Sequence, residues 1–238
     1  MLGPELETYR GNKLYMVGGV LLGVALAALA FVAYHNGRSH DFILAYLSTL
    51  TIPAFLLLWL KSLQVTLHSN GITYHSLFGE KEMRWDMAER FVYKAIKQTS
   101  HGVPIGTSYL FRLVDSDGNK IRFGNRIERT DKLAAKLVDL TTPELYRKAA
   151  KLYNRGDELD FGPIKMSRPR GLKIKELFHY KEIPWERVSS YALQKGKVYI
   201  GEAGKKRPSS WKVDCIPNVF VLLDLLKYTF PAGDAAKK

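Results

Sequence analysis

Two uncharged apolar runs, residues 14–34 (LYMVGGVLLGVALAALAFVAY) and 42–60 (FILAYLSTLTIPAFLLLWL), constrain this chain more than any other feature. The hydrocarbon core of a bilayer needs about 20 apolar helical residues, and each run meets that length. Only His35 to Asp41 separate them, so they predict a tight transmembrane hairpin of helices 14–34 and 42–60 with both ends on one side of the membrane. A cleaved signal peptide would need small residues at a cleavage site after the first run. Tyr34, His35 and Asn36 follow instead, with the second run directly behind. The connecting loop carries Arg38 alone, whereas Arg10 and Lys13 precede the first run and Lys61 closes the second. By the positive-inside rule both termini and the region beyond residue 61 belong in the cytoplasm. Tyr15, Tyr34 and Trp59 lie near the ends of the runs, where amphipathic rings favour the headgroup level.

The formal net charge is +13, and almost none of it comes from residues 1–61, which hold four Lys/Arg against three Asp/Glu. A tethered cytosolic region faces an anionic leaflet, where each basic residue near the surface contributes about 1 kcal/mol. The basic balance therefore calls for no nucleic-acid partner. No Lys/Arg run exceeds Lys205-Lys206-Arg207, and no common nucleic-acid motif is present. The single cysteine, Cys215, has no internal disulfide partner, in keeping with a reducing compartment. It alternates with apolar neighbours (Val213, Cys215, Ile216) and reads as a small buried hydrophobe in a strand.

From Ser62 the apolar period becomes two. Leu63, Val65 and Leu67 alternate with Gln64, Thr66 and His68, Ser69-Asn70-Gly71 turns, and Ile72 and Tyr74 resume. Tyr109, Phe111 and Leu113 predict another strand, which Asp115-Ser116-Asp117-Gly118 turns into Ile121 and Phe123. A helix follows, with Thr130 at its N-cap and Leu133, Leu137 and Leu140 on one face. The outline then repeats. Residues 71–86 (GITYHSLFGEKEMRWD) align without a gap on 171–186 (GLKIKELFHYKEIPWE), pairing Gly71 with Gly171, Leu77-Phe78 with Leu177-Phe178, Lys81-Glu82 with Lys181-Glu182 and Trp85 with Trp185. Pro217 and Asn218 introduce a second apolar helix, Val219 to Tyr228. Between the copies Thr142-Pro143-Glu144 opens a linking helix that Asn154-Arg155-Gly156 stops. The organisation expected is a cytoplasmic segment 1–13, the hairpin 14–60, an α+β domain 62–141, a linking helix 142–156, a second α+β domain 157–230 and a flexible tail 231–238.

With Phe161-Gly162-Pro163, Ile183-Pro184-Trp185-Glu186 and Ile216-Pro217-Asn218-Val219-Phe220 in place, most of residues 62–230 resembles bacterial pleckstrin-homology-like (PH-like) proteins. It is similar to an uncharacterised family with a membrane hairpin and tandem copies of that module. The resemblance implies an α+β fold of two rolls, each a bent antiparallel sheet capped by a C-terminal helix. It also implies an integral protein of the bacterial inner (plasma) membrane. These motifs are structural and bring no catalytic residue with them.

No constellation supports an enzyme. The six histidines (His35, His40, His68, His75, His101, His179) show no metal-ligand spacing, so no metal or cofactor is expected. No G-x-S-x-G elbow occurs. Gly201-Glu202-Ala203-Gly204-Lys205-Lys206 lacks the phosphate-loop spacing and reads as a basic hairpin tip. Gly19, Gly23 and Ala27 form a small-residue stripe suited to close helix packing, within the hairpin or between chains as a homo-oligomer. Pro53 predicts a kink in the second span, with Ser48, Thr49 and Thr51 near the freed carbonyls. Lys165, Arg168 and Arg170 surround the first turn of the second PH-like module, and Lys173 and Lys175 extend that charge along one strand face. In eukaryotic lipid-binding relatives, basic residues around that turn hold phosphate headgroups. The alternative is a solvated basic edge that discourages strand aggregation. The chain therefore reads as a membrane-anchored, non-catalytic adaptor or scaffold for a protein partner, with binding of anionic lipid through this turn as the alternative.

Overall fold

The computed structural model of the chain describes residues 1–35, 39–100, 103–177 and 179–230, with side chains except at 33–34, 39–50, 97–100 and 103–106. Arg38, Phe178 and the tail 231–238 lie outside the described residues, as do His101 and the side chains of Tyr34, His40, Ser48 and Thr49. Four antiparallel sheets and four α-helices are described, a mixed α+β architecture. The chain divides into two compact units, Met1–Met83 with Asn125–Thr130, and Arg84–Gly124 with Asp131–Lys238.

The first unit opens with a strand, β1 (Glu5–Arg10), ahead of the helices α1 (Lys13–His35) and α2 (Ser39–Ser62). Strands β2 (Gln64–His68), β3 (Gly71–Ser76) and β4 (Gly79–Arg84) follow, and the sheet order is β1-β2-β3-β4. Residues 1–13, expected as a cytoplasmic segment ahead of the first helix, thus contribute an edge strand. It pairs antiparallel with β2 in the register Thr8↔Thr66 and Arg10↔Gln64. Two strands that a short turn would ordinarily join are joined instead by a pair of helices. Alternation explains the sheet's packing, since Tyr9, Val65, Leu67 and Ile72 are all fully buried.

The chain crosses itself where it enters and leaves the helices. The Gly11 N–H donates to the Leu63 carbonyl at 2.8 Å, and a Cβ on Gly11 would overlap the Leu60 carbonyl oxygen. Asn12 then caps α1, its side-chain oxygen accepting the Leu14 N–H at 2.9 Å. Residues 125–130 stitch the same corner, with the Glu128 N–H on the Arg10 carbonyl, the Asn12 N–H on the Arg126 carbonyl, and Ile127 bridged to Gly11 and buried. The Arg126 guanidinium stacks 4.8 Å above the Trp59 ring near the end of α2.

Helix α1 is long and apolar enough to cross a membrane, with a mean hydropathy of 2.3 over its most apolar window within Lys13–Val32. It is the one described helix that meets this measure, which a signal sequence also meets, and the described apolar part of α2 is Thr51–Ser62. Leu14, Val17, Val20, Leu21, Val24 and Leu29 all point away from the protein. Two glycines let α2 approach closely: Gly19 lies against Leu57, and a Cβ on Gly23 would meet Pro53 at 3.0 Å. The stripe does not continue through Ala27, which is exposed. Leu26 is half-buried and Ala30 is buried, so the contact face steps alternately by three and four residues.

The second unit begins with a single 3-10 turn at Trp85–Met87, followed by β5 (Ala88–Ser100), β6 (Val103–Asp115) and β7 (Lys120–Gly124), ordered β5-β6-β7. Helix α3 (Thr130–Arg155) leads to β8 (Leu159–Asp160), β9 (Ile164–Ser167), β10 (Gly171–Lys175) and β11 (Tyr180–Ile183). A second 3-10 turn, Trp185–Arg187, precedes β12 (Val188–Gln194), β13 (Lys197–Glu202) and β14 (Ser209–Lys212), and α4 (Val219–Thr229) closes the chain. The order of four strands, a Trp-led 3-10 turn, three strands and a helix therefore occurs twice. After each turn the next strand opens on a bulge opposite a buried carboxylate, Ala88 on Asp115 and Val188 on Glu202.

Three local expectations change. The closing and linking helices are one helix, α3. Its buried stripe of Leu133, Leu137, Thr141 and Leu145 runs straight past Pro143, which removes a single backbone donor. The Thr130 hydroxyl does not cap α3 but donates back to the Ile127 carbonyl at 2.6 Å. Cys215 is exposed, because Val213–Cys215 is a 3-10 turn whose three-residue period buries Val213 and Ile216 and turns the cysteine outward.

The crossing at Gly11 yields a direct test. Gly11→Ala forces a methyl into backbone and should cost about 1–3 kcal/mol. Gly18→Ala, whose new methyl meets nothing within 4 Å, should be neutral or slightly stabilising. Thermal unfolding of the detergent-solubilised chain reads both.

Candidate binding groove

Within the second unit an open groove of about 880 Å³ lies between β5–β6 and the segment from β12 to α4. Its apolar lining comes from Tyr93, Tyr109, Leu193, Val213, Val219 and Phe220. The aromatic rings form a connected set, with Tyr93 5.6 Å from Phe220 and 6.4 Å from Tyr109, and Tyr109 stacked 6.1 Å from Phe111. Burial pushes the Tyr93 phenol above its ordinary value, and the neighbouring Tyr109 adds to that, so it remains a neutral hydrogen-bonding group at physiological pH. Four lysines, Lys94, Lys195, Lys197 and Lys212, ring this floor against a single carboxylate, Asp214. Lys94 holds Asp214 at 2.6 Å and keeps it below the usual carboxylate range.

Strand β5 forms an edge of its sheet, and Asn218 occupies part of that edge as though it were a strand. Its side-chain oxygen accepts the Phe91 N–H at 2.7 Å, its own N–H donates to the Phe91 carbonyl at 2.8 Å, and its side-chain nitrogen donates to the Glu89 carbonyl at 2.7 Å. Asn218 sits at the expected cap position of α4 but in the left-handed region (φ 55°), with its side chain committed to β5 instead of the helix. Because outward-facing groups alternate along an antiparallel strand, the next such positions after Phe91 are Tyr93 and Ala95, and both line the groove. β5 and β6 are each 13 residues long, against seven in β12 and six in β13. Ala95, Ile96, Thr107 and Tyr109 of the groove belong to the length by which the first hairpin exceeds the second.

The basic residues singled out from sequence are only partly brought together. Lys165 and Lys173 face each other across β9 and β10, and Glu158 lies between them at 3.3 and 2.8 Å. Glu182 adds a second carboxylate 3.2 Å from Lys173, and Lys165 also sits 5.1 Å over the Tyr180 ring. The Lys173 hydrogen bond holds Glu158 below its ordinary value. Arg168 reaches Asn154 at 3.4 Å, while Arg170 and Lys175 are exposed. Of the small-residue stripe, Gly19 and Gly23 face α2 and Ala27 does not. The described residues hold no group of three or more His, Cys, Asp or Glu with metal-site geometry.

The paired carboxylates at the two bulges differ in function. Asp115 folds its own loop, accepting the backbone N–H groups of Asp117 and Asn119 and the Asn119 side chain. Burial alone would raise its pKa, but these bonds outweigh burial and lower it. Glu202 is almost wholly buried and takes Lys181 at 2.5 Å, Arg187 at 2.7 Å and Lys205 at 3.3 Å, tying three separate segments together. The aromatic groove itself was not evident in the sequence. The one available signal was the aromatic alternation Tyr109-Phe111 opposite Tyr93, which specifies a strand face but not what faces it.

The chain belongs to a protein family of unknown function, DUF6585, whose model matches residues 1–232, a span that includes β1 and both apolar helices. No match is found among curated proteins.

Lys181 and Lys205 lower the Glu202 pKa, so its contribution to stability is complete above the ordinary glutamate value of 4.5 and is lost as pH falls through the lower folded value. Glu202→Gln should therefore cost about 2 kcal/mol at neutral pH, typical of lost charged hydrogen bonds. The gap from the native chain should close on acidification below pH 4.5. Unfolding midpoints measured across pH check both statements.

Proposed function

We propose that this chain is a membrane-anchored, non-catalytic adaptor whose groove binds an extended, acidic and apolar segment of a protein partner. The groove carries this reading: an aromatic floor beside a strand edge, ringed by four lysines and one already-paired aspartate. An added strand would take its main-chain bonds from the edge at Tyr93 and Ala95 and place alternate side chains against Phe220 and Leu193. Carboxylates on the segment would answer the lysine rim, which favours acidic partners and fast encounter.

In this proposal α1 and α2 cross the membrane as a hairpin, with both termini and both soluble units in the cytoplasm. Support comes from β1. A cleaved leader would remove the strand that pairs with β2, and spans ending on opposite faces could not return residues 5–10 to residues 64–68. The outward apolar face of α1 also requires a non-aqueous neighbour. The doubled order of four strands, three strands and a helix supports tandem PH-like modules, with the helix pair inserted between the first two strands of the first copy. In the second copy, residues 161–163 alone separate the equivalent strands. Recognition of anionic lipid through Lys165, Arg168, Arg170, Lys173 and Lys175 has weaker support, since Glu158 and Glu182 already balance two of the five. Self-association through α1 is likewise less favoured, because Gly19 and Gly23 face α2.

A displayed random-peptide library, selected on the full chain in nanodiscs, tests the groove. Enriched peptides should be acidic with alternating apolar residues, should weaken as salt rises, and should lose most of their binding to Phe220→Ala and to Lys212→Glu. Enrichment that ignores both variants, or no enrichment over empty nanodiscs, would contradict the proposal.

A further inference from the structure

The β3–β4 turn carries two large apolar residues with no function in turn geometry. Leu77 and Phe78 are its central residues, and they are 43% and 81% exposed. Two-residue hairpin turns ordinarily select Asn-Gly, Asp-Gly or a leading Gly for their positive φ angles. Here the positive angle belongs to the following Gly79 (φ 117°), and the Ser76 hydroxyl closes the turn on the Gly79 carbonyl at 3.2 Å. Leaving such apolar side chains in water forgoes the gain of burying them.

The register of the first sheet fixes where this turn lies. β2 starts at the base of α2 and runs away from the helices to the Ser69-Asn70 turn. β3 then runs back antiparallel, with Gln64 opposite His75 and Val65 opposite Tyr74. Leu77 and Phe78 are thereby returned to the end of the sheet from which α1 and α2 depart. That end also holds Lys13 and Tyr15 at the start of α1, Lys61 at the close of α2, and Arg126 stacked on Trp59. Amphipathic aromatics, basic side chains and exposed apolar tips at one level are the composition of a headgroup boundary. In the corresponding turn of the second copy Leu177 is 85% exposed, but its sheet carries no inserted helices.

We propose that the Leu77–Phe78 turn is a third membrane contact, seated in the boundary between headgroups and acyl chains beside the helical hairpin. Two helices leaving one corner let the sheet pivot, and a turn anchored some strands away from that corner fixes its tilt. The ligand is the lipid surface itself, engaged through apolar insertion and not through a phosphate pocket. This inference rests on α1 and α2 being transmembrane, and the experiment separates the two claims.

Full-length chains carrying Cys215→Ser receive one new cysteine each, Leu21→Cys, Phe78→Cys, Leu77→Cys or Asn70→Cys, labelled with an environment-sensitive NBD fluorophore. They are reconstituted into phosphatidylcholine/phosphatidylglycerol vesicles containing lipids spin-labelled at a shallow or a deep acyl position. The Leu21 label should be quenched by the deep probe. Labels at Phe78 and Leu77 should shift to the blue and lose most of their emission to the shallow probe, while the Asn70 label, at the far end of the sheet, should do neither. Quenching at Leu21 together with water-like, unquenched emission at both Phe78 and Leu77 would overturn the wedge and leave the hairpin standing. A blue shift there without quenching would assign the turn to a protein contact and also overturn the wedge. Absence of quenching at Leu21 would overturn the transmembrane hairpin.

Discussion

The pairing of β1 with β2 across the inserted helices is the constraint on which the first unit depends. A strand of six residues before the first apolar helix meets a strand of five after the second, and the entire helix pair occupies the place of a turn. Neither strand would be a stable ribbon alone. Their register requires the helices to start and finish at one corner, and that corner is built to hold them there. Gly11 permits the backbones to cross at Leu60, Asn12 caps the outgoing helix, and residues 125–130 bond to both. The helix pair is thus coupled to folded protein at both ends instead of hanging from a flexible linker.

This coupling limits how the sheet of the first unit is held relative to α1 and α2. A domain on a loose tether samples many orientations, and each binding event must restrict them. In the first unit, whose sheet continues directly into α1 and α2, that restriction is built in. In the proposed function the two recognition elements of the groove, in the second unit, have different ranges. The lysine rim acts over roughly a Debye length, about 8 Å at physiological salt. The aromatic floor and strand edge would act only on contact, where an extended apolar segment would fit them.

Much of the fold was legible in the sequence because its signals are local. Uncharged length marked α1, and period-two alternation marked β2, β3, β6 and β7. The aligned Trp85 and Trp185 begin equivalent 3-10 turns. What the sequence concealed depends on distant partners. β1 (ELETYR) has one buried aromatic and a mostly charged exterior, so its strand character exists only through β2. Cys215 fell on the wrong side because an alternating triplet and a 3-10 turn share short patterns while burying different residues. The equivalence of Asp115 and Glu202 was hidden by the longer β5–β6 hairpin, which breaks the constant offset of the repeat. The groove joins residues from positions 93 to 220, and no local pattern in the sequence specifies that juxtaposition.

The central claim, that β1 and β2 close one sheet around a membrane-crossing helix pair, is tested most directly by a cross-strand disulfide. The Thr8 and Thr66 hydroxyl oxygens lie 3.1 Å apart, although 58 residues separate them in sequence. Thr8→Cys and Thr66→Cys, introduced together with Cys215→Ser into the full chain in native membranes, should form an intramolecular disulfide under mild oxidation. After proteolytic cleavage in the loop between α1 and α2, the two fragments should remain linked until reduced. Failure of the pair to cross-link while the chain is folded and membrane-bound, or loss of residues 1–35 from the mature chain, would contradict the account.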